Sequence, residues 1–288
     1  MINKGGLYNL IYKITPPVIF SLVKDSKIYP GIKKLADKFL KKDNLIPTWN
    51  VVSDGIIKGR KLFIDPNGVW AEMVSGDYDN FFIEFLKRFD LKEEIIYDIG
   101  AHIGFSSMCF AELVGPSGKV IAFEPNIFNT ERFEYILKEN KDFDSIIKIH
   151  NIAISDKVGE EDFVFSDNID NGTSSGSFIN SSHTFFEKNT YESNIGFKRM
   201  KTKTVPIDLL KNIGIDEIPY LIKIDIEGAE YLALQGAREM LATHKPILLM
   251  EIHSIFNMLK VGEILHEFNY KVELLKEEKD GRCFISAV

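Results

Sequence analysis

The sequence predicts an α/β protein built on a mostly parallel sheet, and three observations carry that expectation. Five short, continuous apolar runs recur from residue 94 onward, as strands buried on both faces do. Segments with apolar residues at helical spacing separate them, giving the alternation of a parallel sheet with crossover helices. The first run, EIIYDIG, feeds a turn opened by Gly100 and closed by Gly104 and then the helical FSSMCFAELV. A strand, a glycine turn and a helix N-terminus in that order is where such sheets bind nucleotide-like ligands.

Taken from the start, residues 1–46 read as a helical extension ending near Pro47, and residues 47–288 as the main domain. The extension is apolar, aromatic and dotted with lysine, and Pro16 and Pro17 split it. It is expected to pack on the domain or on a second subunit of a homo-oligomer; peripheral association with a membrane surface is the other reading. No segment approaches the roughly 18 consecutive apolar residues that span a bilayer, and a signal-peptide cleavage site is missing. Residues 50–64 alternate around Asp54-Gly55 and Lys58-Gly59 as a hairpin does, and Asp65-Pro66-Asn67-Gly68 is a turn signal. Asp79 precedes a helix whose Phe82, Phe85, Leu86 and Phe89 form an apolar stripe.

The five predicted core strands are residues 94–100, 119–126, 146–155, 220–228 and 246–253. Between the third and fourth, EDFVF and RMKTKTVPIDLL read as added strands. The polar stretch between them is longer than a connection requires, which fits either a substrate-binding lid or an insertion without function. AEYLALQGAREMLA reads as one helix with Ala229, Leu232, Ala233, Gly236, Ala237, Met240 and Leu241 on one face. A last helix carries Val261, Ile264, Leu265 and Phe268, and YKVELL and RCFISAV follow as strands joined at Lys279-Asp280-Gly281. A parallel core finished by a reversed strand pair is the usual ending of the class I methyltransferase, a Rossmann-like sheet. Dinucleotide-binding sheets usually end on another parallel strand.

Composition narrows the partners. A chain of 288 residues with 45% apolar and 27% charged content buries a full core as one large domain with an extension. The net charge of −7, without a basic run, excludes nucleic acid and points to a small or neutral acceptor. Only Cys109 and Cys283 occur, which suits a reducing, cytoplasmic setting or the inner face of the membrane and excludes a disulfide framework.

Asp98 selects among cofactors. A carboxylate before the turn repels a pyrophosphate, whereas a ligand carrying an amine gains a charge-assisted hydrogen bond. S-adenosylmethionine is such a ligand. Gly100 and Gly104, lacking Cβ atoms, are expected to let it approach the backbone closely. Glu124, ending the second strand, suits both ribose hydroxyls, and Asn126 either adds a polar contact or caps the next helix. Phe105 and Ser106, at the helix start, complete this side. The third glycine of the dinucleotide fingerprint is missing, so an NAD(P)-dependent oxidoreductase is the alternative, alongside a non-catalytic binding module.

At the ends of the fourth and fifth strands stand Asp225, Glu227 and Glu230, then Glu251 and His253. Alternation puts Asp225 and Glu227 on one side of their strand, and likewise Glu251 and His253. Asp225, Glu251 and His253 are the candidates for orienting or deprotonating an acceptor hydroxyl, a weak nucleophile at neutral pH. Asp225 and Glu251 are also candidate ligands of a divalent metal such as magnesium. Glu227 or Glu230 could instead cap the helix that follows. His183 and His150 are weaker candidates, and His102 is expected to shape the cofactor turn.

DIGAHIGFSS, FEPN, KIDIEGAE followed by LQGA, and KPILLMEIH, in that order, resemble the FkbM family of S-adenosylmethionine-dependent methyltransferases. The upstream DGIIKGRKLFID and SGDYDNFF resemble its lead-in, so the likeness runs from about residue 50 to the end. The resemblance implies methyl transfer to a hydroxyl of a sugar or other small molecule, in glycan or secondary-metabolite biosynthesis. It places Asp98, Gly100, His102 and Gly104 around the cofactor's methionine part, Glu124 at its ribose and Ala153 with its neighbours at the adenine. His102 stands where the family frequently has asparagine, and Asp79 where it usually has glutamate.

Overall fold

The computed structural model describes residues 47–66, 70–78, 80–166, 177–179, 197–278 and 281–288. The expected extension at 1–46, Asp79, most of the 166–198 loop with His183, and the turn positions Asn67-Gly68 and Lys279-Asp280 lie outside the described residues.

The chain enters through an antiparallel pair, β1 (Thr48–Val51) and β2 (Lys61–Ile64), then the helices α1 (Ala71–Ser75) and α2 (Asn80–Leu86). The core alternates β3 (Ile95–Ile99), α3 (Phe105–Val114), β4 (Lys119–Phe123), α4 (Ile127–Leu137) and β5 (Ile147–His150). It resumes with β10 (Leu221–Ile224), α5 (Glu230–Gln235), α6 (Arg238–Thr243), β11 (Ile247–Ile252), α7 (Ile255–Glu267), β12 (Val272–Glu277) and β13 (Cys283–Ala287). These strands form one seven-stranded sheet in the order β12-β13-β11-β10-β3-β4-β5. The sheet reverses direction once, at β13, which runs antiparallel to both β11 and β12. The expected antiparallel hairpin is present as β12 and β13, with the reversed strand β13 seated between β11 and β12.

Continuous apolar sequence follows from burial on both faces. Ile96, Val120, Leu221 and Leu249 pack with Phe85 of α2, Met108 of α3 and Phe133 of α4. Their strand neighbours Tyr97, Ile121, Ile222 and Leu248 pack on the opposite face with Ala233 of α5, Leu241 of α6 and Val261 and Leu265 of α7. Each fully buried aliphatic side chain contributes about 1.5–3 kcal/mol by leaving water. Two such layers fix the sheet and hold its carboxyl ends still.

Two elements depart from expectation. The predicted third strand breaks after His150, and its second half becomes β6 (Ala153–Ile154), which pairs with β9 (Phe197–Val205) in a separate sheet. Asn151 explains the break: its side-chain amide donates to the carbonyls of Glu124 at 2.9 Å and Pro125 at 3.1 Å, drawing the chain out of the ladder. The second sheet also contains β7 (Gly159–Ser166) and the short β8 (Phe178–Ile179), so the expected added strands are present. The single helix expected over 229–242 is two, α5 and α6, separated at Gly236-Ala237. A Cβ at Gly236 would stand 2.1 Å from the carbonyl oxygen of Ser155, so the chain after β6 presses against the helix where it breaks. Among the described residues no helix is long and apolar enough to cross a membrane.

Candidate active site

The glycine turn follows β3 directly. Gly100, His102 and Gly104 all take positive φ, at 80°, 52° and 89°, and the N–H groups of Gly100 and Ala101 both donate to the carbonyl of Phe123 at 2.9 and 3.1 Å. The protein's own packing also calls for glycine at positions 100 and 104. A Cβ on Gly100 would lie 1.8 Å from the Asp225 carbonyl oxygen, and one on Gly104 would lie 2.0 Å from the Phe133 ring. Protein atoms fill the space that the missing side chains leave.

Asp98 is fully buried beneath this turn. Its Oδ2 accepts hydrogen bonds from Ser106 Oγ at 2.7 Å and Ser107 Oγ at 2.5 Å, and Lys223 Nζ stands 3.3 Å from Oδ1. Lys223, also buried, donates to the Gly100 carbonyl at 2.9 Å and stands 3.6 Å from Asp225 Oδ2. Sequence reasoning passed over Lys223. The signal was there, because the two-residue period that aligned Asp225 with Glu227 also aligns Lys223 with Asp225.

Glu124 follows β4. Its Oε2 accepts the His102 N–H at 2.8 Å, and its Oε1 accepts the Asn126 N–H at 2.9 Å and the Asn129 amide at 3.2 Å. Burial pushes its carboxyl up to about 7, against the pull of the Asn126 and His102 N–H groups. Each carboxylate oxygen has two lone pairs, so Oε2 retains accepting capacity, and Glu124 lines the cavity beside it. Asn126 caps α4, its Oδ1 accepting the Phe128 N–H at 3.1 Å. His102 packs against Trp70 with ring centroids 5.2 Å apart, and Phe105 against Tyr78 at 5.3 Å. Burial lowers the His102 imidazole to about 4, so the ring is neutral near pH 7.

Past β10 and β11 the acids converge on His253. Its Nδ1 lies 2.8 Å from Glu230 Oε1, and its Nε2 lies 3.3 Å from Glu227 Oε2, 3.6 Å from Glu251 Oε1 and 3.7 Å from Asp225 Oδ1. Arg282, on the last turn before β13, donates to Glu251 Oε1 at 2.7 Å. Burial first, and Asp225 second, raise the Glu251 carboxyl above the ordinary carboxylate range. Burial opposes charging of His253, and the carboxylates of Glu230, Glu227 and Asp225 more than offset it. Glu230, expected as a possible helix cap, takes instead the N–H of Gly228 ahead of α5 at 2.9 Å, and α5 has no side-chain cap at its N-cap residue Ala229. Arg282 carried no sequence signal, since its position is set by the pairing of β13 with β11.

A cavity of about 180 Å³ opens at these strand ends. One wall is apolar, with Phe123, Ile152, Ala153, Phe163 and Phe178, and another carries Trp70, Tyr78 and Phe82 from the N-terminal segment. The indole N–H of Trp70 is buried without a hydrogen-bond partner among the described residues. Ser106, Glu124, Lys223, Asp225, Glu227, Glu251 and Arg282 supply the polar lining. Of the expected site residues, Gly100, His102, Phe105, Ser106, Glu124, Ala153, Asp225 and Glu251 line this cavity. Asp98, Gly104, Asn126 and His253 stand behind its wall, and His150 stacks on Phe123 away from it, with ring centroids 5.7 Å apart.

Residues 98–272 match the family described as Methyltransferase FkbM domain. The hexuronic acid methyltransferase AglP of Haloferax volcanii is 26% identical over 191 residues, covering 66% of this chain and 68% of that protein. The crystal structure of the methyltransferase FkbM from Methylobacillus flagellatus KT superposes with a TM-score of 0.50 at 23% identity, covering 72% of this chain. This chain spans 46%, about half, of the length of that solved protein.

The filled glycine positions generate a test. Gly104→Ala is expected to lower stability by about 1–3 kcal/mol through overpacking and its positive φ, and adding Phe133→Leu should recover part of the loss in denaturant titrations. An unchanged denaturation midpoint in the single variant would mean that Phe133 does not fill the space beside Gly104.

Proposed function

This chain belongs to the methyltransferase FkbM family, and from that premise we propose that it is an S-adenosylmethionine-dependent O-methyltransferase acting on a hydroxyl of a sugar or similar small acceptor. The observation that carries the proposal is the meeting, in one cavity, of a ribose-type acceptor at Glu124 with three carboxylates at Asp225, Glu227 and Glu251.

The residues present fit the cofactor. Glu124 keeps an oxygen able to accept a ribose hydroxyl, while Phe123, Ile152, Ala153 and Phe163 offer an apolar slot for a flat heteroaromatic ring. Trp70 contributes an indole donor to the aromatic wall. When bound, S-adenosylmethionine supplies an electrophilic methyl group.

The protein's own contribution is positioning and proton handling. Asp225 and Glu251 accept the hydrogen bond of an incoming hydroxyl and fix its lone pair, and holding two reactants in attack geometry supplies much of the rate. A carboxylate would take the proton that the acceptor hydroxyl gives up. Arg282 keeps Glu251 in place. A sugar acceptor is supported by the similarity to a protein named for hexuronic acid methylation, and its hydroxyl-rich surface suits a rim of acids and one arginine.

Incubation with labelled S-adenosylmethionine and a panel of sugars, hexuronates included, tests the reading. Asp225→Asn and Glu251→Gln should each lower transfer by about 10²–10⁴-fold; full transfer in both would contradict the assignment. Cofactor affinity is expected to depend on Glu124. A carboxyl raised to about 7 is protonated below that pH and ionised above it, and the ionised form is the better acceptor for a ribose hydroxyl. Calorimetry should therefore show affinity rising as pH increases through about 7, and Glu124→Gln should bind more weakly with a flat profile.

A further inference from the structure

We infer that Asp225, Glu251 and the Nε2 atom of His253, with Glu227 beside them, form a binding site for one divalent cation at the acceptor end of the cavity. The starting point is the histidine. Its side chain is 9% exposed, and its Nδ1 is 2.8 Å from Glu230 Oε1. Glu230 is itself fully buried and held by the Gly228 N–H and the Asn257 side-chain amide. A carboxylate that accepts from one imidazole nitrogen fixes the tautomer and leaves the other nitrogen with its lone pair outward, the arrangement seen behind metal-ligating histidines.

That other nitrogen, Nε2, is buried with no hydrogen-bond partner among the described residues. It faces oxygens of Glu227, Glu251 and Asp225 at 3.3, 3.6 and 3.7 Å. Three carboxylates around this nitrogen call for a positive charge at it, either a proton on Nε2 or, once that proton is displaced, a cation held jointly by the imidazole and the carboxylate oxygens. The separations fit an ion, since two ligands about 2.1 Å from one centre at angles of about 100–120° stand about 3.2–3.6 Å apart. One ligand atom from each of Asp225, Glu251 and His253 can be chosen so that all lie within 4.8 Å of one another.

The donor set selects the ion class. Carboxylate oxygens suit Mg²⁺ and Mn²⁺, and an imidazole shifts preference away from Mg²⁺ and Ca²⁺, so Mn²⁺ is the probe of choice. Asp225, Glu227 and Glu251 line the cavity while His253 lies behind them, so the open coordination positions face the acceptor. Such an ion would take two neighbouring oxygens of a vicinal diol or hydroxy acid, which narrows the acceptor class. This last point rests on the methyl-transfer reading; the cation site itself does not.

The 288-residue chain stripped with chelator and titrated with Mn²⁺, with neither cofactor nor acceptor present, provides the test through loss of the free-ion electron paramagnetic resonance signal. One ion per chain is expected. Asp225→Asn and Glu251→Gln should each weaken binding at least tenfold, and Glu230→Gln, which removes the charge of the orienting partner, by about 10–100-fold, with circular dichroism confirming the fold. Asp225 is one-third exposed, so its variant keeps the test readable if a buried one fails to fold. No binding up to about 1 mM would overturn the site, as would undiminished binding in the variants. S-adenosylmethionine binding measured in chelator separates the two readings, because methyl-donor binding without Mn²⁺ binding refutes the cation site alone.

Discussion

The ammonium of Lys223 is the contact on which the rest of the site depends. Lys223 and Asp98 are paired across neighbouring parallel strands β10 and β3, and both are buried, so neither charge would be tolerable alone. Together they form a cross-link at the point where both strands end. Through Asp98 the pair reaches the Ser106 and Ser107 hydroxyls that begin α3, and through its own bonds Lys223 reaches the Gly100 carbonyl and approaches Asp225. One cation thereby relates the glycine turn, the helix N-terminus and the first acid of the acceptor cluster. Asp98, whose oxygens face two hydroxyls and an ammonium of the protein, thereby holds the turn in shape.

Around that link, topology does the remaining work. Parallel strands put all their carboxyl ends on one edge, so Glu124, Asp225 and Glu251, far apart in sequence, arrive at one cavity. The two buried layers keep that edge rigid, and the second sheet, reached through the Asn151 break, supplies an apolar wall in Ala153 and Phe163. The acids then divide by environment. Glu124 is held by two backbone N–H groups and the Asn129 amide with an oxygen left to accept, whereas Glu227, Glu251 and Asp225 crowd about one imidazole nitrogen.

Much of this was legible in the residues. Continuous apolar runs located the strands because burial on both faces demands them, and the order DIGAHIG, FEPN, KIDIEG and MEIH placed the polar groups at strand ends. What could not be read were the effects of distant packing. Gly236 splits a helix because Ser155 presses on it, and Gly104 is empty because Phe133 fills its place; neither neighbour is adjacent in sequence. Arg282 joins the site only through the antiparallel seating of β13. Lys223 was readable by alternation, but a lysine inside an apolar strand draws attention only once its partner across the ladder is known.

The central claim, that Lys223 and Asp98 act as one unit holding the turn to the strand end, is measured most directly by a double-mutant cycle on unfolding free energy. Asp98→Asn and Lys223→Met should each cost about 3–5 kcal/mol by stranding a buried charge, and the double variant should cost less than their sum by about 2 kcal/mol or more. Additive losses, agreeing within about 0.5 kcal/mol, would contradict the account.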